Sequence, residues 1–146
     1  MRIFARTHQL PPRLAAGAFF LNSGLGKINA DPQTAAFLHG TAANVYPFLR
    51  RLDPQTFTRV LSRCEVGLGL ALLTPFVPSL VAGAGLTAFA AGLVGLYLRT
   101  PGLRREGSLR PTPQGLSMAK DVWLLGIGLG LVAEELAHRR SPLPGR

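Results

Sequence analysis

The chain has 146 residues, of which 47% are hydrophobic and 16% charged, with 17 glycines, 12 prolines and one cysteine. This length predicts one domain, and a single cysteine excludes a disulfide scaffold and a zinc finger. Lys and Arg number 16 against 7 Asp and Glu, a formal charge of +9, which in a soluble domain would indicate a nucleic-acid partner.

The distribution of the charges argues against nucleic acid. Residues 66–98 and 122–133 contain no Asp, Glu, Lys, Arg or His. The basic residues are therefore confined to the segments between apolar blocks, as in a protein that crosses the membrane several times. We predict an all-α polytopic membrane protein with the lipid bilayer as its surroundings.

The first predicted span is the short apolar block at 14–28, which lies between Arg13 and Lys27. Both side chains are long enough to carry their charges toward the membrane interface. A cleaved signal peptide is the alternative, since Arg2 and Arg6 could form its basic region. The two prolines before Arg13 argue against it, and no small-x-small site is followed by a mature soluble domain.

The next apolar block, 66–98, would be ~50 Å long as one helix, too long to cross ~30 Å of hydrocarbon once. Pro75 and Pro78 interrupt it and remove two backbone donors. We therefore predict a second span at about 60–76 and a third at about 80–98. A fourth at about 120–136 completes a four-transmembrane-helix bundle.

The connections differ in character. Residues 33–52 mix apolar and polar side chains, which predicts a short interfacial helix between spans one and two. Residues 100–115 carry three prolines and several arginines and are predicted to be a solvated loop. A single domain is expected over 1–140, with a disordered tail at 141–146.

Small residues recur at every fourth position on two of the predicted spans. They are Ala84, Ala88 and Gly92 on the third span and Gly126 and Gly130 on the fourth. Such spacing allows close backbone approach in lipid. We predict that these five residues pack the helices together.

Charged and polar residues at the ends of the four spans are predicted to meet at one membrane face. They are Asn22, Lys27, Arg63, Glu65, Arg99, Lys120 and Asp121. Glu65 lies deepest among the charges of the second span, where an unpaired carboxylate costs a few kcal/mol. These residues could form a structural ion network or line a polar pocket for a small ligand, a quinone head group or a proton, and the two are compatible because a pocket needs the same pairs to hold its walls.

The remaining candidates give no catalytic or metal site. Glu134 and Glu135 are expected to lie at the opposite interface, and His8 and His39 fall outside the spans, so no facing histidine pair could hold a haem. Cys64 has no second cysteine to form a dithiol and is predicted to be a packing residue.

The first span also carries a recognisable spacing of residues. Arg13, Gly17, Gly24 and Lys27 form an Arg-x3-Gly-x6-Gly-x2-Lys run, which resembles the opening helix of the DoxX family. Two later elements agree with this. The Glu65-Val-Gly-Leu-Gly segment resembles the acidic start of that family's second helix, and Lys-Asp at 120–121 resembles the start of its fourth.

The resemblance implies a four-helix protein of the bacterial plasma membrane. The DoxX family is named after a subunit of an archaeal thiosulfate:quinone oxidoreductase, and some relatives are associated with membrane complexes that handle oxidative or thiol stress. The residues of this chain that match family positions are Lys27, Glu65, Lys120 and Asp121.

Three functions stay open on the sequence. The first is an accessory subunit of a redox-linked complex, which binds no cofactor itself and offers its polar end to a quinone or a redox enzyme. The second is a small proton- or anion-coupled carrier, which would have to be a homo-oligomer because four short helices leave little room for a pathway. The third is a cofactor-free scaffold. Independent catalysis is not expected, and the counts of basic residues do not decide the orientation in the membrane.

Overall fold

The computed structural model of the protein describes residues 4–140, and every regular element in this range is helical. The α-helices are α1 (Leu10–Lys27), α2 (Pro32–Val45), α3 (Pro54–Leu73), α4 (Ser79–Arg99), α5 (Leu116–Ala119) and α6 (Asp121–Arg140). Short 3-10 helices precede α1 and α3, at Thr7–Gln9 and Pro47–Arg51. The all-α class is confirmed, and the predicted tail at 141–146 lies outside the described residues.

Two helical segments are long and apolar enough to cross a membrane, Ser79–Arg99 and Leu116–Arg140. Within residues 4–140, α1 and α3 do not reach that hydropathy, because charged and polar residues such as Arg13 and Asn22 on α1 and Arg59 on α3 interrupt their apolar stretches. The sequence predicted four spans, and the apolar character of a span is confirmed for the third and fourth.

The same four residues, Asp-Pro-Gln-Thr, begin both α2 and α3. The carboxylate of Asp31 accepts a hydrogen bond from the backbone nitrogen of Thr34, and that of Asp53 from Thr56, both at 2.9 Å. Hydrogen bonds from the backbone and side chain of Thr34 hold the pKa of Asp31 below its ordinary value, and those from the side chain and backbone of Thr56 do the same for Asp53. The cap at Asp53 starts α3 at residue 54, six residues before the start of the predicted span. The presence of α2 confirms the prediction that a short helix follows the first apolar block.

The four long helices pack as two close pairs, α1 with α3 and α4 with α6. Glycines make both contacts possible. A Cβ added to Gly69 on α3 would lie 2.6 Å from the backbone nitrogen of Leu21 on α1. One added to Gly128 on α6 would lie 2.7 Å from the backbone nitrogen of Thr87 on α4. These distances are too short for any side chain, so glycine is required at both positions.

The small residues predicted to pack the helices are not at these contacts. Ala84, Ala88, Gly126 and Gly130 are exposed, and a Cβ on the half-buried Gly92 would meet no atom within 4 Å. The prediction was wrong because a four-residue spacing places small residues on one helix face without fixing which face meets the neighbour.

The pairs join around one apolar core to which α1, α3, α4 and α6 all contribute. Its members are Ala16, Phe20, Leu72, Ala82, Leu86, Ala90, Leu124 and Leu131. The ring of Phe20 meets that of Phe89 edge to face at 5.2 Å. The centre of the bundle is thus filled by apolar side chains, and polar groups are left to its two ends.

We expect two alanine substitutions on α3 to have opposite effects. Gly69→Ala should lower the free energy of unfolding by about 1 to 3 kcal/mol, because the new methyl group overpacks the contact with α1. Gly67→Ala meets open space and should raise stability slightly through helix propensity. Thermal unfolding in detergent measures both, and an equal response of the two variants would contradict this packing.

Candidate functional site

The buried ion pair between Lys27 and Glu65 is the centre of the candidate site. The ammonium of Lys27 lies 2.8 Å from Oε2 of Glu65, and only 7% of the Glu65 side chain is exposed. Lys27 also donates to the hydroxyl of Ser23 at 2.6 Å and to its backbone oxygen at 3.2 Å. Glu65 therefore has a partner inside the bundle, as its predicted depth required.

Close packing of α1 against α3 positions this pair. A Cβ on Gly24 would lie 2.8 Å from the backbone nitrogen of Val66, so the two helices touch one turn from the charges. The hydroxyl of Ser62 donates to the backbone oxygen of Gly24 at 2.8 Å. The last turn of α1 is thereby held against the middle of α3, and the pair is fixed in register.

The other predicted members of the polar end do not join the pair. Asn22, Arg63, Arg99 and Lys120 are exposed and Asp121 is half-buried. Within residues 4–140, the ion pairs and side-chain hydrogen bonds connect only Lys27 and Glu65 of the seven. The sequence places residues at a common depth, but direction around the helix axis decides which of them meet.

Arg13 forms a second polar centre at the opposite end of the bundle. Its side chain is fully buried, so the prediction that it reaches the interface was wrong. The guanidinium donates five hydrogen bonds of 2.8 to 3.0 Å, to the backbone oxygens of Ala71, Leu72, Thr74 and Val77 and to the hydroxyl of Ser79. All five of its N–H donors are thus used.

The reason for this arrangement lies in the end of α3. The last turn of a helix leaves its carbonyl oxygens without backbone partners, and Pro75 and Pro78 remove donors from the turn that follows. Arg13 supplies the missing donors, and its positive charge is stabilised by the negative end of the helix dipole. It therefore joins α1 to the turn between α3 and α4.

The network continues from Ser79 to α6. Ser79 donates to the side-chain oxygen of Gln9 at 2.7 Å, and Gln9 donates to Glu134 at 2.9 Å. Arg6 and His8 also contact Glu134, both at 2.6 Å. Glu134 was expected to be a simple interfacial charge, and it instead links the N-terminal segment to the end of α6.

The remaining polar residues add no metal centre. Among residues 4–140, no group of three or more His, Cys, Asp or Glu side chains comes together as metal ligands. Cys64, which was predicted to be a packing residue, is exposed at the surface of the bundle. The chemistry available at the site is that of an ion pair near one end of an apolar bundle.

Comparison with known proteins adds no relative: no family model matches the chain, and no curated protein or solved structure matches it.

Proposed function

We propose that the chain is a four-span membrane protein of the DoxX type, located in the bacterial plasma membrane. The apolar outer surface supports this. In the two span candidates, only 28% and 17% of the most apolar 18-residue stretch is buried. A core helix of a soluble protein is mostly buried. These helices direct their apolar side chains outward, where a bilayer would solvate them.

Helices α1 and α3 share this outward apolar character. Large exposed hydrophobic residues on the four long helices include Leu14, Phe19 and Leu25 on α1, Val60 and Leu70 on α3, Val81 and Leu98 on α4, and Val122, Trp123, Leu129 and Leu136 on α6. The charges of α1 and α3 that lower their hydropathy include Arg13, Lys27 and Glu65, and these are partnered within the bundle. A charge satisfied inside a bundle is compatible with a membrane span.

The function we propose is that of an accessory subunit in a redox-linked membrane complex, which offers the end around Lys27 and Glu65 to a quinone or a redox enzyme. The apolar core is the observation that distinguishes this role from transport. A conduction path needs polar groups at successive depths, and Phe20 and Leu86 fill the middle of the bundle with completely buried side chains. This favours the accessory subunit over the carrier.

Four spans place both ends of the described chain on one side of the membrane. We expect cysteines introduced at the exposed residues Thr7 and Arg140 to react with an impermeant maleimide from the same side, and a cysteine at Glu106 from the other. The background is Cys64→Ser, because Cys64 is exposed. Labelling of Thr7 and Arg140 from opposite sides would contradict four spans.

The redox role predicts that substitutions at this end of the bundle change the phenotype of cells, although the protein transports no solute. We expect Glu65→Gln to increase the sensitivity of cells to oxidants or thiol stress, because it removes the charge that pairs with Lys27. Asp121→Asn tests the second acidic residue at this end of the bundle, and Arg99→Gln is the exposed control.

In vesicles, the purified protein should show no proton or anion flux above empty controls. Flux that Glu65→Gln abolishes would contradict the accessory role and favour the carrier.

A further inference from the structure

A groove of about 470 Å³ lies beside the last turn of α1 and the central part of α3. Its lining residues are Ile28, Arg59, Ser62, Arg63, Val66 and Gly67. The groove opens outward on the surface of the bundle. It is separate from the contact between Lys27 and Glu65, which is buried between the same two helices.

Two arginines give the groove its charge. Arg59 and Arg63 are four residues apart, so they lie on one face of α3 with a rise of ~6 Å between them. Both are exposed. Within residues 4–140, neither guanidinium donates a hydrogen bond to a side chain or backbone oxygen, and neither forms an ion pair. Glu65 is paired with Lys27, and Asp53 caps the backbone of Thr56. The groove therefore offers two positive charges whose donors are available to an anion.

The rest of the groove is apolar and lies further along α3. Val66 and Gly67 follow the arginines into the C-terminal half of the helix, and Ile28, which is 53% exposed, forms the wall on the α1 side. A Cβ at Gly67 would meet no atom within 4 Å, so this glycine leaves open space at the surface. The groove thus changes from charged to apolar in the direction that leads from the N-terminal half of α3 to its C-terminal half.

We infer that this groove binds an anionic phospholipid, with the phosphate between Arg59 and Arg63 and an acyl chain along Val66 and Gly67. Basic pockets between membrane helices bind anionic lipid head groups, and a pair of guanidiniums suits a phosphate. The inference rests on the membrane location proposed above. Inorganic phosphate would leave the apolar part of the groove empty, and a neutral quinone would leave both arginines without a counter-charge.

The test uses the purified full chain, delipidated in a neutral detergent and titrated with phosphatidylglycerol or phosphatidylcholine of the same acyl chains. Native mass spectrometry measures the bound lipid. We expect phosphatidylglycerol to bind more tightly by about tenfold, and the Arg59→Gln, Arg63→Gln double variant to lose this preference. Gly67→Leu should also lose bound lipid, because it fills the groove without changing the charge.

The control is the Arg50→Gln, Arg51→Gln double variant, which removes two exposed charges outside the groove and should retain the lipid. Equal binding of the two lipids, or wild-type retention after removal of Arg59 and Arg63, would overturn the inference. Displacement by inorganic phosphate at the lipid's own concentration would assign the site to the anion alone and overturn it as well. Recovery of the chain from the soluble fraction of cells would instead contradict the membrane location itself.

Discussion

Arg13→Met is expected to lower the free energy of unfolding in detergent by at least about 3 kcal/mol, because several buried acceptors lose their donors at once. Methionine retains much of the apolar stem but donates no hydrogen bond. The backbone oxygens at the end of α3 and the hydroxyl of Ser79 would lose their bonds to the guanidinium. Chemical or thermal unfolding followed by circular dichroism measures the change.

Arg13→Lys separates the charge from the geometry. Lysine keeps the positive charge but has three donors on one atom, and it cannot reach acceptors arranged around a planar guanidinium. We expect it to recover only part of the lost stability. The exposed Arg99 provides the matched control, and Arg99→Lys should be nearly silent. Equal stability of Arg13→Lys and the wild type would mean that charge alone holds the turn.

Glu65→Ala is the second substitution with a large expected effect. It leaves the ammonium of Lys27 partly buried with only the oxygens of Ser23 as partners, and breaking a buried pair costs on the order of 3 to 5 kcal/mol. Because the two charges depend on each other, Lys27→Ala together with Glu65→Ala should cost less than the sum of the single variants.

Glu106→Ala is the control for Glu65, since Glu106 is exposed in the loop between α4 and α5. An exposed charge is worth at most about 1 kcal/mol, so this control should unfold at nearly the wild-type temperature. A thermally silent Glu65→Ala would show that the pair contributes nothing to stability, and strict additivity of the two single variants would show that Lys27 and Glu65 act independently.

The sequence contains enough information for the lengths and order of the long helices. Uncharged stretches and the prolines at 75 and 78 are local signals, and the observed helices at 79–99 and 121–140 lie close to the predicted 80–98 and 120–136. The repeated Asp-Pro-Gln-Thr caps are an equally local signal. They locate the start of α3 at residue 54.

The contacts between the helices were much harder to predict from the sequence. Lys27 and Glu65 could be matched because they were opposite charges at a common depth. Arg13 carried no such signal, since its acceptors are mainly backbone oxygens, which every residue possesses. Likewise, Gly126 and Gly128 look equivalent in the sequence, and only the position of Thr87 on the neighbouring helix makes the second one indispensable.

The contact between Gln9 and Glu134 joins residues 125 positions apart, which constrains the order of assembly. During synthesis, α6 is the last long helix to leave the ribosome, so this link cannot exist while the chain is growing. Arg13 can meet its four backbone acceptors as soon as the turn after α3 has been made. The pair of α1 and α3 can therefore be complete while α4 and α6 are still being added, and the N-terminal segment gains its contacts with α6 only after Glu134 has been translated.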